Sequence, residues 1–140
     1  MSLVKPTITA VNLLIINEKN EFLIAKRLPH KPMPNKWEFP GGKLESKESL
    51  EACGIREIKE ELELDVTIQN YIGKENISYK GRDFLIHFFT ASLVDISQFF
   101  CLKEHSEAKW VSLKAFDDFD FPANKLGLIQ RFKETFEEDV

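Results

Sequence analysis

The stretch from Gly42 to Leu64 constrains this 140-residue chain more than any other. It carries Glu57, Glu60 and Glu61, spaced by three and four positions among good helix formers. On a helix that spacing stacks the three carboxylates on one face, a turn apart. Like charges so close repel one another. A divalent cation between them turns repulsion into binding, and hard oxygen donors of this kind suit Mg²⁺. The helix is read from about Ser49 to Glu63, with Ser49 as N-cap and Glu51 in the favourable first turn. Ile55, Ile58 and Leu62 form its apolar stripe, and the acidic face is expected elsewhere on the cylinder.

Strand signals surround this helix. Thr7 to Asn17 is β-branched and aliphatic, Glu18–Glu21 is a polar turn, and Phe22 to Arg27 reads as the returning strand of a hairpin. Pro29, Pro32 and Pro34 make Leu28–Lys36 a loop. Trp37–Phe39 is a short extended piece. Pro40-Gly41-Gly42 then permits a tight turn and close backbone approach to a ligand. Val66–Tyr79 and Phe84–Val94 read as long strands joined near Lys80-Gly81-Arg82-Asp83, Ala108–Ser112 as a short one and Leu113–Phe119 as a small helix. A closing helix runs from about Lys125 to Glu137, with Leu128, Ile129 and Phe132 inward. Strands outnumber helices, so the class is α+β (mixed α/β) in a single domain, 1–140.

Composition narrows the partners. A formal net charge of −4 argues against a nucleic-acid polymer or a membrane surface, and no segment approaches the length of a membrane span. There is no signal-peptide pattern, so a cytoplasmic protein is expected. Cys53 and Cys101 lack metal-ligand spacing and read as reduced, buried thiols. The 12 Phe point to an aromatic core that includes Phe84, Phe88 and Phe89.

Gly42, Glu48, Arg56, Glu57, Ile58, Glu60, Glu61 and Leu64 together resemble the signature of the Nudix hydrolases. The pattern is Gly-x5-Glu-x7-Arg-Glu-apolar-x-Glu-Glu-x-Gly-apolar, and its six fixed polar or glycine positions up to Glu61 match by chance on the order of 10⁻⁷ per site. Glu63 stands where the family has Gly, at the helix end where Gly eases a left-handed cap. Asn35–Lys43 and Phe121-Pro122-Ala123-Asn124 are similar to the MutT branch, the sanitising nucleoside triphosphatases. The resemblance implies the Nudix fold, an α/β/α sandwich with a mixed β-sheet.

The same resemblance distributes roles. Glu57, Glu60 and Glu61, with the Gly42 carbonyl, are expected to hold Mg²⁺, Mn²⁺ being the alternative. Arg56 and Glu48 support them, Arg56 orienting a carboxylate. Glu104 is a further metal ligand and, with Glu57, a candidate base; Glu107 competes with it, and the adjacent His105 reads as a bystander. Lys43 is placed to neutralise a phosphate, and Arg27 to contact base or sugar. Asn124 either reads a purine edge or caps the last helix. The implied reaction is Mg-dependent hydrolysis of a nucleoside triphosphate to monophosphate and pyrophosphate by a monomer or weak homodimer. An oxidised purine such as 8-oxo-dGTP is the first substrate, and CTP or another pyrimidine triphosphate the alternative. A non-catalytic nucleotide-binding module is the rival from another class.

Overall fold

A computed structural model describes residues 5–122 and 126–137. In chain order the elements are β1 (Ile8–Ile15), β2 (Phe22–Arg27), β3 (Trp37–Glu38), β4 (Gly41–Lys43), α1 (Leu50–Leu62), β5 (Val66–Tyr79), β6 (Arg82–Leu93) and β7 (His105–Val111). A short 3-10 helix, Leu113–Asp118, and α2 (Leu126–Glu137) follow. The strands form a mixed sheet in the order β4-β1-β6-β5 and an antiparallel sheet in the order β3-β2-β7. The parallel pair is β1 with β6.

Burial explains the sequence of β1. Ala10 and Leu14 face a cluster with Phe39, Phe88, Phe116 and, from α2, Ile129 and Phe132. Val11, Leu13 and Ile15 face a second cluster with Cys53, Ile58 and Leu62 of α1. A strand covered on both faces has no polar side to show, so it reads as a continuous apolar run. Helices on both faces of a mixed sheet are the expected sandwich.

The expected hairpin is corrected. Its turn closes, with the Asn17 side chain accepting from the Lys19 and Glu21 amides. Between the two strands only the Ile16–Phe22 bridge forms. Both edges of β1 are taken, by β4 and β6, so β2 leaves for the other sheet. The β5–β6 hairpin is real, and its Lys80-Gly81 turn has both φ angles positive, at 48° and 76°, as a two-residue hairpin turn needs.

Helix α1 starts where expected, Ser49 Oγ accepting the Ala52 amide at 3.1 Å. Its buried arc differs from the expected stripe. Gly54, Ile58 and Leu62 are buried, and so is Cys53, but Ile55 is 40% exposed. At 100° per residue, Ile55 lies about 60° to one side of Ile58, while Glu61, Glu57 and Cys53 follow on the other. The helix has turned that second side onto β4 and β1. Glu57 and Glu61 therefore lie within the packed arc rather than apart from it. Gly54 allows the approach, since a Cβ there would stand 2.9 Å from Leu13 Cδ2. Both cysteines are free, and Cys101 is exposed rather than buried.

Candidate active site

Arg56 organises the acidic side chains of α1. Its Nε and Nη2 donate to the two Glu48 carboxylate oxygens at 2.6 and 3.0 Å. Its Nη1 donates to Glu57 Oε1 at 2.9 Å and to Glu60 Oε2 at 3.2 Å, and Nη2 also reaches the Lys43 carbonyl at 3.0 Å. A planar guanidinium suits this divided duty, which a point-charge ammonium does not. The hydrogen bond from Arg56 holds the Glu48 carboxyl down to about 2. Glu57 moves the other way, because burial outweighs the same arginine.

Gly41 and Gly42 are strand residues, not the expected turn. They are glycines because of what lies against them. A Cβ at Gly41 would fall 2.0 Å from the Val11 carbonyl oxygen, and one at Gly42 would fall 2.3 Å from the Glu57 carboxylate. The backbone approach made possible by Gly42 is an approach to Glu57.

Glu61 points away from Arg56, into a polar pocket of about 100 Å³ lined by Arg27, Lys31, Glu38, Glu61, Glu104 and His105. Burial first, then the charges of Glu38, Glu57 and Glu104, push its carboxyl up to about 9. Its Oε2 is buried without a hydrogen-bond partner. An orphaned buried carboxylate oxygen facing other acids is a place that a cation would satisfy. The donor set, all carboxylate and carbonyl oxygen, fits a hard divalent ion. As the side chains stand, among the described residues no three of them converge to grip one, since Glu57 is turned to Arg56.

The other expected residues fall around these. Glu104 borders the pocket and pairs with Lys31 at 3.4 Å. Glu107 pairs with Lys109 and lines no part of the pocket. Arg27 and Lys43 line a cleft of about 530 Å³ that adjoins Gly42 and runs to Tyr79, Lys80 and Arg82. Asn124 lies outside the described residues, as do Ala123, Lys125 and the Leu128 side chain. A second hollow, about 540 Å³, lies by Ile96, Phe99 and Trp110 and contains none of these groups.

Sequence reasoning passed over two residues. Glu38 is buried, with Oε1 accepting from Arg27 Nη1 and Oε2 from His105 Nε2, both at 2.8 Å. His105, expected as a bystander in a loop, opens β7 and is bonded to Glu38 at the edge of the pocket. A charged residue between Trp37 and Phe39 was the available signal; nothing in the sequence announced its partner.

Acids and close-packed glycines thus meet at two adjoining pockets, an arrangement suited to a cation and a phosphate. The NUDIX domain family model matches residues 6–132, and the chain belongs to the Nudix hydrolase family, enzymes that cleave phosphoric anhydride bonds. It is 32% identical over 122 residues to the 8-oxo-dGTP diphosphatase of Escherichia coli K12, covering 86% of this chain and 92% of that one. It is 31% identical over 98 residues to the CTP pyrophosphohydrolase of the same organism, covering 70% and 71%. The crystal structure of the MutT protein from Methanosarcina mazei Go1 superimposes with a TM-score of 0.85 at 32% identity, covering 96% and 98%. Among the described residues no helix is long and apolar enough to cross a membrane.

Proposed function

We propose that this enzyme hydrolyses a nucleoside triphosphate to the monophosphate and pyrophosphate, with Mg²⁺ as its cofactor and 8-oxo-dGTP as its first substrate. The observation that carries the reading is the buried, unpartnered Glu61 Oε2 beside Glu38, Glu57 and Glu104. Glu57, Glu60, Glu61, Glu104 and the Gly42 carbonyl would hold the metal. When bound, it would screen the phosphate charge and lower the pKa of a coordinated water.

The protein's own groups do the rest. Arg56, fixed by Glu48, sets the Glu57 carboxylate against Gly42. Glu57 or Glu104 takes the proton of the attacking water. Water adds at the β-phosphorus, the bond from that phosphorus to the oxygen bridging to the α-phosphate breaks, and the nucleoside monophosphate leaves on that oxygen while the added oxygen stays in the pyrophosphate. Lys43 and Arg27 line the cleft where phosphate and nucleoside would lie. Asn124 is assigned to the base. CTP is the second reading, favoured by the likeness to a CTP pyrophosphohydrolase.

Pyrophosphate release from 8-oxo-dGTP, dGTP, CTP and dCTP with Mg²⁺ tests this directly. The expected result is the highest kcat/KM for 8-oxo-dGTP and a loss of about 10³-fold or more in Glu57→Gln. Turnover of none of the four, or wild-type rates in Glu57→Gln, overturns it.

A further inference from the structure

His105 and Glu38 are both over nine-tenths buried, an expensive placement for a carboxylate and an imidazole. A strand irregularity puts them together. Along β2 and β7, Lys26 pairs with Glu107, but Arg27 pairs with His105, so Ser106 is an extra residue. Glu38 sits opposite Ala25 on β2, and Arg27, two residues on, shares that face. Without the extra residue Ser106 would stand opposite Arg27, and His105 would point to the other face. The bulge turns the histidine onto Glu38.

The contacts then continue outward. Glu38 holds Arg27, and Arg27 Nε donates to the Pro32 carbonyl at 2.6 Å. The next residue, Met33, donates its amide to the Tyr79 hydroxyl at 3.2 Å across the cleft. Pro32, Met33 and Tyr79 are all cleft wall. A single hydrogen-bonded line thus runs from the residue after Glu104 to the loop on the nucleotide side.

We propose that His105 is a positioning residue for substrate binding: through Glu38 and Arg27 it fixes the 28–36 loop that walls the cleft. It borders the small acidic pocket with Glu61 and Glu104 but is no part of the wall of the larger cleft. Its loss loosens the wall and weakens nucleotide binding while the hydrolytic step stays intact. The kinetic consequence rests on the function proposed above; the structural consequence does not.

The test uses the full chain carrying His105→Leu, which removes the donor, and His105→Gln, which restores a donor that reaches Glu38. In His105→Leu the KM is expected to rise about 10-fold or more with kcat within about threefold, and His105→Gln to recover most of it. Deuterium uptake by the free protein should speed up about 10-fold in the 28–36 loop and stay unchanged in β1. Unchanged loop uptake overturns the proposal, as does a fall in kcat alone, or a failure of His105→Gln to rescue. Should His105→Leu not fold, Arg27→Met cuts the same line at its more exposed end. It must then give the same loop uptake, and normal uptake again overturns the proposal. If wild-type protein cleaves no nucleotide, the proposed function falls while the exchange measurement still decides the role of His105.

Discussion

Replacing Glu61 with Gln separates the cost of the site from its use. Burial and the neighbouring acids hold the Glu61 carboxyl protonated up to about pH 9 in the folded protein, whereas a free glutamate titrates at 4.5. Between those values the folded state holds one proton more than the unfolded chain. Stability therefore falls as pH rises, by about 1.4 kcal/mol per pH unit. Gln is neutral, close in shape and does not titrate. From pH 5.5 to 8 the difference should move by about 3 kcal/mol in favour of Glu61→Gln. Urea unfolding of both proteins in EDTA at the two pH values measures it, since every other group titrates in both. Adding Mg²⁺ at pH 8 should stabilise the wild type and leave the variant nearly unmoved, because only the wild type gains an ionised ligand. Parallel stability profiles in EDTA would refute the claim that Glu61 is starved of a counter-charge.

Gly42→Ala should lower kcat/KM by about 100-fold or more with little change in Tm, because the three atoms nearest the new methyl all belong to the Glu57 carboxylate end rather than to backbone. Gly41→Ala meets the Val11 backbone instead and should cost stability first; thermal melts beside kinetics distinguish the two. Glu63 holds a left-handed conformation at φ 56°, so Glu63→Gly should raise Tm by roughly 2–5 °C in spite of losing its pair with Lys103. Arg56→Lys keeps the charge but loses the fork between Glu48 and Glu57, and kcat should fall about 10-fold or more with Tm nearly kept.

Local pattern revealed what local forces decide. Ser49 capped the helix and Lys80-Gly81 turned the long hairpin because both depend on residues a few positions apart. The partners of β1 were invisible for the opposite reason. Its run of apolar residues says only that both faces are covered, and its parallel neighbour β6 begins more than sixty residues later. Ile55 misled because helical periodicity defines an apolar face but not how far a neighbouring strand rotates it. The acids were legible by their spacing, but the burial of Glu57 and Glu61 was not, since Gly42 and Gly54 had to bring β4 and β1 close. His105 needed the register of a bulge, which no spacing rule in one strand can supply.

On the proposed function, charge distribution explains how so acidic a site takes an anionic substrate. Glu38, Glu48, Glu57, Glu60, Glu61 and Glu104 are met there by Arg27, Lys31 and Arg56. The arginines are already spent on carboxylates: Arg56 on Glu48, Glu57 and Glu60, Arg27 on Glu38. Lys31 is shared with Glu104. The deficit falls on Glu61, where burial makes each uncompensated charge most expensive. A triphosphate entering such a floor unaided would meet repulsion, so its approach requires positive charge to arrive before it or with it. Lys43, Lys80 and Arg82, along the cleft wall, pair among the described residues with none of the acids of the floor, and on the proposed function they lie where the nucleotide would enter. On the proposed function, recognition and chemistry are thereby divided in space. The wall attracts an anion, the floor demands a cation, and the boundary between them is Gly42, whose missing side chain lets Glu57 reach it.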